Sequence, residues 1–143
     1  MHLRGTLETL SLRLAPGSDI YQELRNLTKQ EKLGAGIVLS AVGSLSKTRL
    51  RFADQETPTD LGGKHEILSL TGTLGEDGLH LHMAVANAQG ECRGGHVVEG
   101  CRVYTTLELV IAIIPEARFD RVVDPATGYR ELVIVAPNRQ LET

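Results

Sequence analysis

The sequence predicts a single α+β domain, in which a mostly antiparallel, strongly twisted β-sheet packs against one main α-helix. Several short stretches alternate apolar and polar residues, as half-buried strands do. Only one stretch, near residues 18–34, has the apolar spacing of an amphipathic helix. Glycine makes up 15 of the 143 residues, which suits a sheet with tight turns and bulges.

The first strand and the helix come early in the chain. Leu10, Leu12 and Leu14 alternate with polar residues and predict a strand, which residues 15–17 interrupt with proline and glycine. We expect the helix to start at an N-cap, Ser18, and to stop at Gly34. The connection from the first strand through the helix to the second strand predicts a right-handed parallel crossover.

The remaining elements are predicted to be strands and turns. A short apolar run at 37–42 is typical of a strand covered on both faces, and the longest loop is expected at 54–63. Further strands are predicted at 66–74, 79–86, 92–98, 103–114 and 132–135. The predicted single domain covers residues 1–143, and its last part, 116–143, is a C-terminal strand extension.

Composition excludes several classes of protein. The net charge is −3 and no two Lys or Arg residues are adjacent, so we expect no more than non-specific affinity for DNA. The alternating Lys47, Arg49 and Arg51 indicate a solvated strand face. Neither a membrane span nor an apolar signal core is evident, which predicts a cytoplasmic location. Cys92 and Cys101 fit no metal or redox motif and are expected to be buried, reduced thiols.

Three histidines are the most informative feature of the chain. His80 and His82 are two residues apart on a predicted strand and therefore project from one face. A three-residue loop at 88–90, with Gly90 in the left-handed conformation, would set His82 directly opposite His96. Three imidazoles placed in this way can ligate one Zn²⁺ or another divalent transition metal.

Two alternatives to a shared metal stay open at this stage. The three rings can form a hydrogen-bonded polar cluster, or their spacing can be a coincidence. Gly94 and Gly95 also allow a bulge that would rotate His96 off the face.

Several motifs together resemble the PPC domain (plants and prokaryotes conserved). They are LRLAPG at 12–17, LSAVGSL at 39–45, EILSLTGTL at 66–74, HLH at 80–82, GGH at 94–96, EG at 99–100 and TTLE at 105–108. The resemblance spans about residues 3–115 and implies a compact α+β domain, commonly a homotrimer. The three histidines would lie on the face that resembles an active site. In plants the domain accompanies AT-hook segments that bind DNA. This chain has no Arg-Gly-Arg-Pro hook, so we do not expect it to bind DNA directly.

The domain is also similar in fold to alpha-acetolactate decarboxylase, a zinc lyase that uses a His-x-His pair and a later histidine. By that similarity His80, His82 and His96 take the ligand positions. The interval between His82 and His96 is longer here, and no residue of this chain matches the substrate-handling groups of that enzyme.

Glu108 and Arg13 are the candidate catalytic residues. Each charge interrupts an otherwise apolar strand, so Glu108 is a candidate to orient a ligand histidine or to act as a base for metal-bound water. The alternative is a structural ion pair between the two. Glu66 and Glu99 are weaker candidates of the same kind, and His65 is expected to be exposed.

Two functional hypotheses follow. The first is a trimeric, metal-binding module for assembly or regulation, with a small-molecule ligand at the metal and any contact with DNA made through partners. The second is a zinc-dependent lyase or hydrolase that acts on a small polar metabolite. Three histidine ligands with an open fourth position favour chemistry, whereas the lack of a clear acid–base pair favours the module.

Overall fold

The structure is a computed structural model that describes residues 5–136. The elements in chain order are β1 (Glu8–Leu14), α1 (Ile20–Gln30), β2 (Gly36–Arg51), β3 (Thr59–Leu61), β4 (His65–Gly75), β5 (Gly78–Ala86), β6 (Cys92–Val97), β7 (Arg102–Ile113), β8 (Arg118–Val123) and β9 (Arg130–Val135). The α+β class is confirmed. The helix, which is the only one in residues 5–136, is not long and apolar enough to cross a membrane.

Seven strands form the main sheet, in the order β1-β7-β2-β4-β5-β6, with β3 paired to β2. Every pairing is antiparallel. Strand β6, which is last in this order, also pairs with the C-terminal end of β2, where Leu50 lies opposite Val97. Strands β2, β4, β5 and β6 therefore close into a ring, and β8 and β9 form a separate hairpin.

The connection through the helix joins two parallel strands. Both β1 and β2 run antiparallel to β7, which lies between them, so they run parallel to each other. The predicted parallel crossover is therefore present, with one strand in between.

The core lies between α1 and one face of the sheet. Ile20 and Leu24 on the helix are fully buried, and α1 packs against β4 and β5. The sheet supplies the other large, fully buried side chains: Leu45, Leu50, Leu74, Leu81, Val85, Val97, Val103, Leu107, Leu109 and Ile111. Since successive strand residues face opposite ways, the polar residues of β5 and β7 project from the other face.

The helix boundaries differ from the predicted ones. Asp19, rather than Ser18, is the N-cap: its Oδ1 accepts a hydrogen bond from the amide of Gln22 at 3.2 Å. The other oxygen of Asp19 accepts from the amide of Gly100 at 2.7 Å, so this buried carboxylate caps the helix and fixes a loop. The helix ends at Gln30, well before Gly34, because Lys32 adopts the left-handed conformation.

Two short strands were not predicted. Strand β3 lies inside the expected loop, where Asp60 pairs opposite Arg49 of β2. Strand β8 carries Asp120 and Arg121 near its middle, which hides the alternation expected of a strand. The prediction for the cysteines is right for buried Cys101 and wrong for Cys92, which is exposed on β6 beside the hairpin turn.

Gly72 of β4 lies opposite Leu81 of β5, between the two histidines of that strand. Its φ is +147°, and a Cβ on this residue would overlap the carbonyl oxygen of His80 on the paired strand. Any larger side chain must therefore push β5 away.

We expect Gly72→Ala to lower the free energy of unfolding by about 1–3 kcal/mol, because backbone strain and a backbone clash act together. Gly62→Ala is the control, since a Cβ at Gly62 meets open space and the residue has no positive φ. Urea unfolding of the two variants measures the difference. Equal stabilities would contradict the assigned clash.

Candidate metal centre

His80 and His82 project from the outer face of β5. Leu79, Leu81 and Met83, which alternate with them, are buried in the core. The two histidine side chains therefore point outwards and are exposed, as the alternation predicted.

The hairpin formed by β5 and β6 places His96 on the same face. His82 is the direct partner of His96 in the β5–β6 ladder, which runs without a bulge from there to the pair of Ala86 and Cys92. Gly90 has φ +78°, and Asn87 holds the turn by accepting two backbone N–H groups with its side-chain oxygen. The predicted register and turn are confirmed.

A third strand supports the site from the other side. His96 also pairs with Arg51 of β2, so β6 lies between two partners at this point. Gly95 makes that approach possible, because a Cβ there would come within 2.8 Å of the Arg51 carbonyl oxygen. The same approach brings the Arg51 backbone beside His96.

The three imidazoles converge. Their ligand nitrogens all lie within 4.8 Å of one another, and the Nε2 atoms of His80 and His82 are 3.3 Å apart. The ring centroids are separated by 5.0, 5.2 and 5.6 Å. Tetrahedral zinc with bonds of about 2.0–2.1 Å needs ligand atoms about 3.4 Å apart. The three residues therefore fit a metal ion, and the Nε2 atoms of His80 and His82 are already at the required separation.

The surroundings favour the neutral forms of His80 and His96. Burial lowers the pKa of His96 to about 4, and the Arg51 guanidinium acts in the same direction. Burial and then the charge of Arg121 also lower the pKa of His80, against a smaller opposing effect of Glu131. Because only a neutral imidazole offers a lone pair, His80 and His96 are favoured in the form that can ligate a metal.

A recess of about 470 Å³ opens beside His80 and His96. Its polar wall includes three arginines, Arg51 from β2 and Arg121 and Arg130 from the β8–β9 hairpin. Sequence reasoning missed the last two, since no motif marks them. Sequence reasoning also placed Arg51 on a solvated face together with Lys47 and Arg49. In the structure Lys47 and Arg49 form ion pairs with Asp60, whereas Arg51 lines the recess.

Glu108 and Arg13 lie elsewhere. They are opposite each other on β7 and β1 and line a shallow groove that contains none of the three histidines. Arg13 donates its Nε–H to the Thr106 hydroxyl at 2.8 Å, and the ion pairs of residues 5–136 do not include Arg13 with Glu108. A catalytic role for this pair stays a prediction.

The other candidates are also outside the histidine cluster. Glu66 and Glu99 are exposed, and neither lines the recess. His65 is buried, contrary to the expectation, because it faces inwards at the start of β4 and shares a hydrogen bond of 3.2 Å with the Thr48 hydroxyl. His2 lies outside the described residues.

Comparison with known sequences identifies the same domain. The profile of the Plants and Prokaryotes Conserved (PCC) domain matches residues 1–115. A protein named bifunctional protein GlmU from a Synechococcus strain is 55% identical over 130 residues, which cover 91% of this chain and 21% of that protein. AT-hook motif nuclear-localized protein 16 of Arabidopsis thaliana is 31% identical over 125 residues, covering 82% of this chain and 48% of that protein. The chain therefore spans about a fifth of the length of its first curated relatives.

Solved structures share the fold. A hypothetical protein from Salmonella superposes with a TM-score of 0.93 at 40% identity, covering 96% of this chain and all of that one. A protein from Archaeoglobus fulgidus, described as metal-containing, gives a TM-score of 0.80 at 23% identity and covers 93% of this chain and 99% of its own. The similarity in fold to alpha-acetolactate decarboxylase stays a prediction.

In the metal-free protein we expect the His96 ring to titrate near pH 4, and Arg51→Gln to raise that pKa by removing the largest charge effect on the ring. NMR of the imidazole carbon-bound protons measures it, with Arg25→Gln on the exposed side of α1 as the control. An unfolded histidine takes up its proton near pH 6.5. The metal-free protein should therefore lose stability as the pH falls from about 6.5 towards 4. A His96 pKa at or above 6.5 in the parent protein would contradict the assigned burial.

Proposed function

Since the chain belongs to the Plants and Prokaryotes Conserved domain family, we propose that it is a small metal-binding module that self-associates as a homotrimer and acts in assembly or regulation. The convergence of His80, His82 and His96 on one face carries the proposal. Any association with DNA is made through partners, and the cytoplasmic location expected from the sequence stays a prediction.

Zinc is the metal that this donor set favours. Three neutral nitrogen ligands suit zinc, and a structural zinc site would close with a fourth protein ligand. Within residues 5–136, the cluster of potential metal-binding side chains contains only these three histidines. A fourth position is thus left for water or a small molecule. The proposed site would supply Lewis-acid chemistry when the ion is bound.

The outer face of the sheet supports self-association. Val42 and Leu68 are 62% and 56% exposed, and Leu39 is 50% exposed on the same stretch of β2. Gly43 pairs with Ile67, so continuing that register puts Val42 beside Leu68 on the neighbouring strand. Adjacent exposed apolar side chains on a sheet are typical of a protein interface, and a symmetric homo-oligomer is the commonest way to cover them.

Association with DNA through a partner fits both the charge and the relatives. Two matched relatives carry the name AT-hook motif nuclear-localized protein, and this chain covers slightly less than half of each. This chain is acidic overall, with a net charge of −3, and does not attract phosphate by itself.

A zinc-dependent lyase or hydrolase that acts on a small polar metabolite is the second candidate. The recess beside His80 and His96 favours it, because a volume of about 470 Å³ admits a small substrate next to the proposed ion. Glu131 lines the same recess and is the carboxylate best placed to exchange a proton there.

We expect purified protein to bind one Zn²⁺ per chain, and His96→Ala to weaken binding by more than the roughly 10–100-fold expected for the loss of a group that only supports a ligand. Elemental analysis and chelator competition measure this. Cys92→Ser is the matched control, because Cys92 is exposed on the same strand and the change removes a potential zinc ligand that is not part of the histidine cluster. Full zinc occupancy in His96→Ala would overturn the assignment.

Self-association has its own test. Light scattering at micromolar concentration should give the mass of three 15.5 kDa chains, and Val42→Glu should shift it towards one chain by placing a charge in the apolar patch. Leu7→Glu is the control, since Leu7 is similarly exposed but precedes β1. A parent protein that scatters as a single chain would refute the trimer.

A further inference from the structure

We propose that the recess beside the histidines binds a small organic anion, whose carboxylate or phosphate group is held by Arg51 and Arg121. The inference rests on the proposed metal site and names the class of ligand that would lie next to the ion. Of the two arginines, Arg51 lies within the matched domain, whereas Arg121 follows its last matched residue, 115.

The charges of the recess favour an anion. Three arginines and two carboxylates, Asp77 and Glu131, line it, which leaves a formal charge of +1 in a chain whose net charge is −3. The three histidines add no negative charge, so a divalent ion would raise the local charge to +3. A concave site with such a charge concentrates small anions.

One of the arginines is already neutralised by the protein. Arg130 donates Nη2–H groups to both oxygens of Asp77, at 3.0 and 2.9 Å, and to the carbonyl oxygen of Arg121. This ion pair ties β9 to the turn before β5 and fixes the wall of the recess. Asp77 also accepts the backbone N–H of Arg121.

The other two guanidiniums have no carboxylate partner within residues 5–136. Arg121 donates Nη2–H to the Thr73 hydroxyl at 2.6 Å, and Arg51 donates Nη1–H to the Gln55 carbonyl oxygen at 3.3 Å. Neither takes part in the ion pairs of this part of the chain. Each side chain is held in place by one neutral acceptor and keeps further N–H donors for a ligand, an arrangement suited to carboxylate or phosphate oxygens.

Size and lining narrow the class of ligand. A recess of about 470 Å³ lies in the range of small-molecule sites and is far too small for a nucleic-acid duplex. Leu79 and Tyr129 supply apolar surface, and Glu131 offers an acceptor for a hydroxyl group. We therefore expect a hydroxylated organic acid or a sugar phosphate of a few carbon atoms.

Calorimetry of the zinc-loaded protein tests the proposal with glycolate and glycerol phosphate as probes and glycerol as the neutral control. At least one anion should bind, and Arg121→Gln and Arg51→Gln should each weaken it at least tenfold, the usual loss for a charge-assisted contact. Glutamine keeps a donor for Thr73 or Gln55, so both variants should fold. Arg93→Gln is the control, because Arg93 is exposed on β6 and does not line the recess.

Each outcome bears on a different claim. The proposal is overturned if neither anion binds at about 50 mM, or if both variants bind as tightly as the parent protein. Displacement of the bound anion by a DNA duplex would also overturn it. Zinc content is measured on every sample, and the titrations are repeated without metal. Arginine-dependent binding in a protein that takes up no zinc would keep the anion site and refute the metal function.

Discussion

The double pairing of β6 is the constraint on which the site depends. One short strand satisfies its backbone hydrogen bonds with β5 on one side and with the end of β2 on the other. Because an antiparallel register moves in whole residues, a slip of one position would turn His96 to the opposite face. Two independent ladders that agree at His96 make such a slip much more costly than one ladder would.

Close approach of the backbones sets which residues the site tolerates. Gly95 lies where β2 crosses behind β6, and Gly72 lies where β4 passes the carbonyl group of His80. At both positions the nearest atom is a backbone carbonyl oxygen, which cannot move aside by rotation of a side chain. The histidines are therefore held by a rigid frame of strands, which suits a metal site that needs ligand atoms placed within a fraction of an ångström.

The sequence predicts those parts of the structure that depend on local rules. Alternation along β5 predicts the face of His80 and His82, and a glycine in a three-residue loop predicts the partner of His96. It does not predict Arg121, because that residue reaches the recess only through the packing of the β8–β9 hairpin against the end of β4. The prediction that His65 is exposed fails for a similar reason. Its hydrogen-bond partner Thr48 is distant in sequence and is brought close by the sheet.

The positive charges beside the histidines would repel a bound cation, and neutral imidazole ligands do not cancel that repulsion. Burial lowers the pKa values of His80 and His96, and the positive charges of Arg121 and Arg51 lower them further because they disfavour a proton. The same repulsion would act on a divalent cation, more strongly per ion, so these arginines would oppose the proposed metal. The proposed anion, placed between the guanidiniums and the ion, would remove the conflict because both attract it. Metal and anion must then each strengthen the binding of the other by the same factor, because coupling between two ligands is reciprocal. An arrangement that looks unfavourable for either ligand alone is thus favourable for the two together.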